Sequence, residues 1–238
     1  MRLPSDEVHV HYCEPERWAE DKAKARGLSW LNEAERGRYA RFHFDADREI
    51  FLAAHALKRQ VLAQYLGEEP ASFAFDVGEY GRPELHGSSA LRFNLTHTQG
   101  LVACVIHDAR PCGVDVEWRG RTPELPRLVK RCFVADEAEG IASHPEPLRR
   151  FFELWTLKEA YIKARGMGMA LPLHGFWFQE DPSLEAGFGA REDVEPTPEA
   201  WQFEMHETTA GHQLAVAVRA GVDARVRVRW QHTIPGVT

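Results

Sequence analysis

The stretch Phe151 to Gly168, FFELWTLKEAYIKARGMG, decides how the rest of the chain is read. On a 3.6-residue wheel Phe151, Leu154, Trp155, Leu157, Tyr161 and Ile162 form one broad apolar face, and Gly166 and Gly168 mark its end. Lys158 falls inside that face. Glu159 and Lys163 form an i, i+4 pair on its border. A snorkelling lysine beside a surface ion pair worth about 0.3 to 0.5 kcal/mol would account for the pattern. An ammonium set among Phe and Trp, however, needs an anion or a route to water, and that need points to a site.

A second helix repeats the first. Asp45 or Asp47 caps a long apolar-faced stretch through Leu66, stopped by Gly67 and followed by Pro70. Its Phe51, Leu57 and Lys58 match Phe151, Leu157 and Lys158 at one constant offset. HTQGLVACVIH from His97 and GHQLAVAVRA from Gly211 form another echo, each a polar lead into a buried-looking strand. Together they predict a duplicated unit. Arg59 then holds the place of Glu159, so chemistry is expected on one side only.

Length and composition set the limits. With 238 residues, 44% of them hydrophobic, the chain can bury a core as one large domain or two small ones. Its net charge of −7, from 29 basic and 36 acidic residues, gives no global attraction to nucleic acid or anionic membrane. The longest apolar run, Leu101 to Ile106, is far too short for a membrane span, and the N-terminus lacks the apolar region of a secretory signal. Cys13, Cys104, Cys112 and Cys132 lack metal spacing and disulfide density, and read as reduced thiols of a cytoplasmic protein.

Along the chain, Val8, Val10 and Tyr12 alternate as an opening strand, and residues 15 to 26 and then 28 to 44 read as helices. The second has Asn32 and Glu35 in capping-box spacing and carries Arg36, Arg38 and Arg41, a basic strip that a solvated face would also explain. Gly81, Arg82 and Pro83 form a rigid turn presenting a cation. Asn94 to Gly100 places hydroxyls, a histidine and a glycine ahead of a strand, where a phosphate could be held. In CGVDVEW, residues 112 to 118, Asp115 and Glu117 share one strand face, and a cation between them would relieve their repulsion. A solvent-facing strand edge would explain the acid pair equally well. Residues 180 to 200 read as an irregular connection, and strands follow at 201 to 206, 213 to 219 and 224 to 230.

No nucleophile elbow, Walker loop, zinc-protease pair or dinucleotide fingerprint is present. Asp115, Glu117 and Glu159 offer hard oxygens that suit Mg²⁺, and His97, Lys158, Lys163 and the arginines suit phosphate oxygens. That set of groups fits phosphoryl transfer, which works by positioning and charge neutralisation.

At this point the chain resembles a known family. GVDVE at 113 to 117 and WTLKEAYIK around Glu159, with GRP at 81 to 83 and FNLTH at 93 to 97 upstream, look like the surfactin-synthetase-activating type of 4′-phosphopantetheinyl transferases, in the subfamily with a WxxKEA motif. The resemblance implies an α+β fold of two similar halves about a pseudo-twofold axis, residues 1–110 and 111–238, each a small mostly antiparallel sheet with a long packed helix. It implies coenzyme A as co-substrate, held between the halves, with Mg²⁺ or Mn²⁺, and an apo acyl or peptidyl carrier protein as the acceptor. Asp115, Glu117 and Glu159 match the metal-binding acids, with Glu159 also base for the carrier serine, directly or through water. Lys163 matches the lysine near the reacting phosphate, with Lys158 and Asp115 beside the cofactor. Thr96 and His97 match the pyrophosphate contacts, Gly81, Arg82 and Pro83 the adenine side, and Arg38 and Arg48 the 3′-phosphate. Where some members place a further lysine, this chain has Glu35. An active monomer is expected. Two other readings are a metal-dependent nuclease, against which the net charge counts, and a duplicated interaction module whose acids and lysines form structural ion pairs.

Overall fold

The computed structural model describes residues 3–17, 21–87, 89–179 and 187–236. The chain divides into two compact units, Met1–Ala109 with Arg227–Thr238, and Arg110–Val226. The fold is α+β, as the sequence predicts.

The first unit opens with β1 (Glu7–Cys13), then α1 (Asp21–Trp30), α2 (Glu33–Ala40) and α3 (Asp45–Leu66). A hairpin of β2 (Phe75–Val77) and β3 (Pro83–Leu85) follows, then β4 (Leu91–Thr98) and β5 (Leu101–Asp108). The helical stretch expected at 28 to 44 is broken where Asn32 caps α2, and the helix expected over 15 to 26 starts only at Asp21, residues 18–20 lying outside the described set. The core gathers α3 residues such as Leu52, Leu57 and Leu62 with Val102, Cys104 and Ile106 of β5.

The second unit holds β6 (Cys112–Trp118), α4 (Leu125–Cys132), α5 (Ala135–Ser143), α6 (Pro147–Arg165), β7 (Phe176–Gln179), β8 (Gly187–Ala190), β9 (Trp201–Glu207) and β10 (His212–Arg219). The irregular connection expected at 180 to 200 contains β8, which pairs with β7; residues 180–186 lie outside the described set. Helix α6 lies close on β6 because Gly113 has no side chain: a Cβ there would run into the Ala160 carbonyl and the Ala164 nitrogen.

The two units share one plan. In the first, β5 lies between β1 and β4 with α3 packed on it; in the second, β10 lies between β6 and β9 with α6 packed on it. A two-stranded hairpin follows the long helix in each, and each long helix ends on a left-handed glycine, Gly67 at φ 73° and Gly166 at φ 68°. The last strand, β11 (Arg227–His232), corrects the expected division at 110/111. It leaves the second unit and pairs parallel with β1, from Glu7↔Arg227 to Tyr12↔His232, giving the first sheet the order β11-β1-β5-β4. Parallel pairing needs a long crossover, here nearly the whole chain, so local sequence could not announce it.

Candidate active site

The acids of β6 meet α6 within the second unit. Gly113, Asp115 and Glu117 alternate onto the face that Gly113 opens to the helix, so short carboxylates reach side chains of α6. Lys163 Nζ lies 2.6 Å from Asp115 Oδ1, and Asp115 is buried. Trp155 Nε1 donates to Glu117 Oε1 at 3.0 Å, and Arg121 Nη2 lies 2.7 Å from the same oxygen. Glu159 is half-buried on α6, one turn from Trp155 on one side and from Lys163 on the other.

These carboxyls strain against one another. Burial, and then the charge of Asp115, push Glu117 up to about 7, although Arg121, the Trp155 N–H and Lys163 pull it down. Burial and Asp115 also raise Glu159, with Lys163 opposing. Three hard carboxylates that repel one another suit a divalent cation as a donor set. Among the described residues no three acid, His or Cys side chains converge on one point; the ammonium of Lys163 and the guanidinium of Arg121 serve as counter-charges instead.

Lys158 corrects the sequence reading. Its side chain is fully buried, and its three N–H groups are used by Glu137 Oε2 at 2.8 Å, the Leu173 carbonyl at 3.0 Å and the Phe176 carbonyl at 2.8 Å. The anion demanded by the apolar face is Glu137 of α5, not a phosphate, so Lys158 is a core residue. On a helix, adjacent side chains diverge by about 100°, which sends Lys158 inward and Glu159 to the acids. The first unit uses the same device. Glu35 lies 3.1 Å from Lys58 Nζ, 2.7 Å from Arg59 Nη2 and 2.8 Å from His55 Nδ1. Burial acts to raise the Glu35 carboxyl, but the bond from His55 and the charge of Lys58 outweigh it and hold it well below the usual carboxylate range. Each glutamate also caps its own helix, Glu35 accepting from the Asn32 N–H and Glu137 from the Val134 N–H.

The remaining predicted residues lie in the first unit. Arg38 and His97 line one groove of about 590 Å³ with Phe42 and Phe44 on its walls, and the Arg38 guanidinium lies 5.5 Å over Phe51. Arg48, in the first turn of α3, pairs with Asp45 at 2.6 Å and donates to the Phe42 carbonyl at 2.7 Å. Gly81 is left-handed at φ 82° in the β2–β3 turn, Pro83 begins β3, and Arg82 donates to the Phe93 carbonyl at 2.9 Å. The phosphate loop expected from Asn94 is instead strand: Thr96 and His97 pair with Ala103 and Val102, and only Gln99 and Gly100 turn. Thr96 is buried and His97 exposed, as alternation on a strand requires.

In the sequence Trp155 reads only as part of an apolar wall, and Arg121 carries no signal of a site. The indole N–H could have been suspected, since a buried indole seeks an acceptor. Arg121 follows from a turn that leaves no periodic signal.

The chain has relatives among known proteins. The 4′-phosphopantetheinyl transferase superfamily profile matches residues 111–218, and the N-terminal profile of 4′-phosphopantetheinyl transferase matches residues 16–108. The 4′-phosphopantetheinyl transferase HetI of Nostoc sp. is 38% identical over 178 residues, covering 71% of this chain and 73% of that protein. A phosphopantetheinyl transferase of Thraustochytrium sp. is 31% identical over 233 residues, covering 90% of this chain and 80% of that one. A 4′-phosphopantetheinyl transferase of Bacillus subtilis is 31% identical over 153 residues, covering 63% and 67%. With its acid strand and its lysine-bearing helix inside the matched span, the chain belongs to the 4′-phosphopantetheinyl transferase superfamily.

Proposed function

We propose that this enzyme moves the 4′-phosphopantetheine arm of coenzyme A onto a serine of an apo acyl or peptidyl carrier protein and releases 3′,5′-ADP. The observation that carries the reading is that the β6 face bearing Asp115 and Glu117 packs on α6, where Lys163 reaches Asp115, Trp155 reaches Glu117 and Glu159 lies between those two helix residues. The serine oxygen bonds to the β-phosphorus of coenzyme A as the bond to 3′,5′-ADP breaks, and the serine proton passes to a base.

Asp115, Glu117 and Glu159 are the residues to hold Mg²⁺ or Mn²⁺, which when bound neutralises charge on the pyrophosphate. Glu159 accepts the serine proton, directly or through a water. A carboxyl raised by burial is closer to neutral pH and so a stronger base than an exposed one. Lys163 balances Asp115 and can turn to the phosphate as charge builds there. In the first unit, Arg38 and Arg48 are assigned to the 3′-phosphate, Gly81, Arg82 and Pro83 to the adenine side, and Thr96 and His97 to the pyrophosphate. The groove that Arg38 shares with His97 supports that assignment.

We further take the enzyme to act as a cytoplasmic monomer, with neither nucleic acid nor membrane as a partner. All four cysteines are buried, and no helix among the described residues is long and apolar enough to cross a membrane. The test is incubation with coenzyme A, Mg²⁺ and several apo carriers of fatty acid, polyketide and peptide synthesis, followed by weighing the carriers. A gain of one phosphopantetheine matched by released 3′,5′-ADP is expected. No mass gain on any carrier would reject the reading.

A further inference from the structure

Glu117 is held from two sides by donors of different kinds. The indole N–H of Trp155 is neutral; the guanidinium of Arg121 is charged, and both reach Oε1. Arg121 does not arrive there by helix periodicity. Strand β6 ends at Trp118, and a turn closed by the Arg121 N–H on the Trp118 carbonyl at 3.4 Å brings the chain back. Gly120 makes that turn possible, because a Cβ there would collide with the Trp118 indole. The guanidinium then lies 5.3 Å over the ring of Phe152, one turn before Trp155 on α6. One helix therefore supplies both the neutral donor to Glu117 and the platform for its cation.

Exposure separates the two members of the pair. The Arg121 side chain is 44% exposed and that of Glu117 15%, so Arg121 can swing into solvent while Glu117 stays in place. A guanidinium 2.7 Å from Oε1 places a positive charge beside the carboxylate, and that charge repels a divalent cation seeking the same group. The Trp155 N–H carries no net charge and can remain.

We propose that Arg121 is the competing counter-ion of the acid site: it neutralises Glu117 until a divalent cation arrives, its charge opposes that cation, and it thereby sets the cation concentration at which the site fills. The inference rests on the assignment of Asp115, Glu117 and Glu159 as ligands. Arg121 is a positioning residue, acting only through Glu117.

The test is direct titration of the full-length, metal-stripped protein with Mn²⁺ in the absence of coenzyme A, with free Mn²⁺ followed by electron paramagnetic resonance. Arg121→Gln should bind Mn²⁺ about fivefold more tightly than wild type, the scale of a half-exposed ion pair, and the gain should shrink at high salt. Arg121→Lys keeps a charge but loses the planar fork, and should fall between the two, which also keeps the test alive if Arg121→Gln folds poorly. Equal or weaker Mn²⁺ binding by both variants, with binding still abolished in Asp115→Asn, would overturn the competition while leaving the ligand assignment standing. Binding that ignores Asp115→Asn, or no binding by any protein, would reject the ligand assignment and the inference with it.

Discussion

The two units place different chemistry on the same frame. Gly100 and Gly211 are both left-handed, at φ 81° and 79°, in the turns that open β5 and β10. Counted from those glycines, Ile106, Cys104 and Val102 correspond to Ala217, Ala215 and Gln213. In the first unit they pair with His9, His11 and Cys13; in the second, with Gly113, Asp115 and Glu117. The helix-facing places that hold a glycine and two acids on β6 are thus filled on β1 by two histidines and a cysteine. Tyr65 of α3 closes the first arrangement, its hydroxyl 2.5 Å from His9 Nδ1 and 3.0 Å from His11 Nε2, with Glu7 on His9 and Thr233 on His11. Where α6 has Glu159 turned to the acids, α3 has Arg59, fully buried and bound to Glu35. One unit closes its polar network internally. The other sets carboxylates beside one another and balances them with Lys163 and Arg121, partly exposed cations that can turn to another partner.

What both units share is the buried lysine and its glutamate, and the largest effect should come from breaking it. Glu35→Ala and Glu137→Ala each leave a cation buried without its anion, and each should cost about 3 to 5 kcal/mol in chemical denaturation. Neither should change KM for coenzyme A in the fraction that folds. If Glu137→Ala kept full stability and lost transfer, Lys158 would return to the site and the parallel between units would fail.

Next is the difference at Glu159. Glu159→Gln should lower kcat about 10²-fold or more with coenzyme A still bound and the melting temperature little changed. Arg59→Gln, at the matching place, should lose stability and leave kcat alone. Full recovery of the Glu159→Gln rate by raised Mg²⁺ would remove its role as base and keep it as a ligand.

His11 of the first unit should respond to acid. Burial, and then His9, push His11 down to about 4 from an ordinary value near 6.5. Between those values the unfolded chain binds the extra proton, so stability is fully present above pH 6.5 and falls as pH drops towards 4. Between pH 7 and pH 5 this amounts to about 2 kcal/mol, readable as hydrogen exchange in β1 and α3. Unchanged protection at pH 5 would mean that burial does not hold His11 below its ordinary value.

The smallest effect sharpens the cofactor assignment. Arg48→Ala should raise KM for coenzyme A about tenfold and that for dephospho-coenzyme A much less. Equal losses with both would move the 3′-phosphate contact elsewhere, Arg41 being the next candidate.

Much of this was legible in residues and much was not. The echo between α3 and α6 is a pattern of period and composition, and it foretold the repeated topology. The acid pair on β6 was legible because strand alternation fixes which side chains share a face. The glutamate awaiting Lys158 was harder. Glu35 showed a capping box, but nothing in the chain said that the same carboxylate would also reach a buried lysine on the next helix. Thr96 and His97 were misplaced because polar residues with a nearby glycine look like loop until a partner strand supplies the ladder.

By itself, then, the sequence determined the two long helices, the alternation of β6, the duplication and the family, because these depend on local periodicity and on side chains at fixed spacing. Tertiary structure decided which charge meets which. Packing α6 onto β6 across Gly113 brought Lys163 to Asp115 and Trp155 to Glu117, while α5 took Lys158 out of reach of any substrate. It also returned β11 to the edge of β1. Pairings between residues far apart in the chain cost loop-closure entropy and are settled only by the burial they achieve together, and no stretch read alone contains that information.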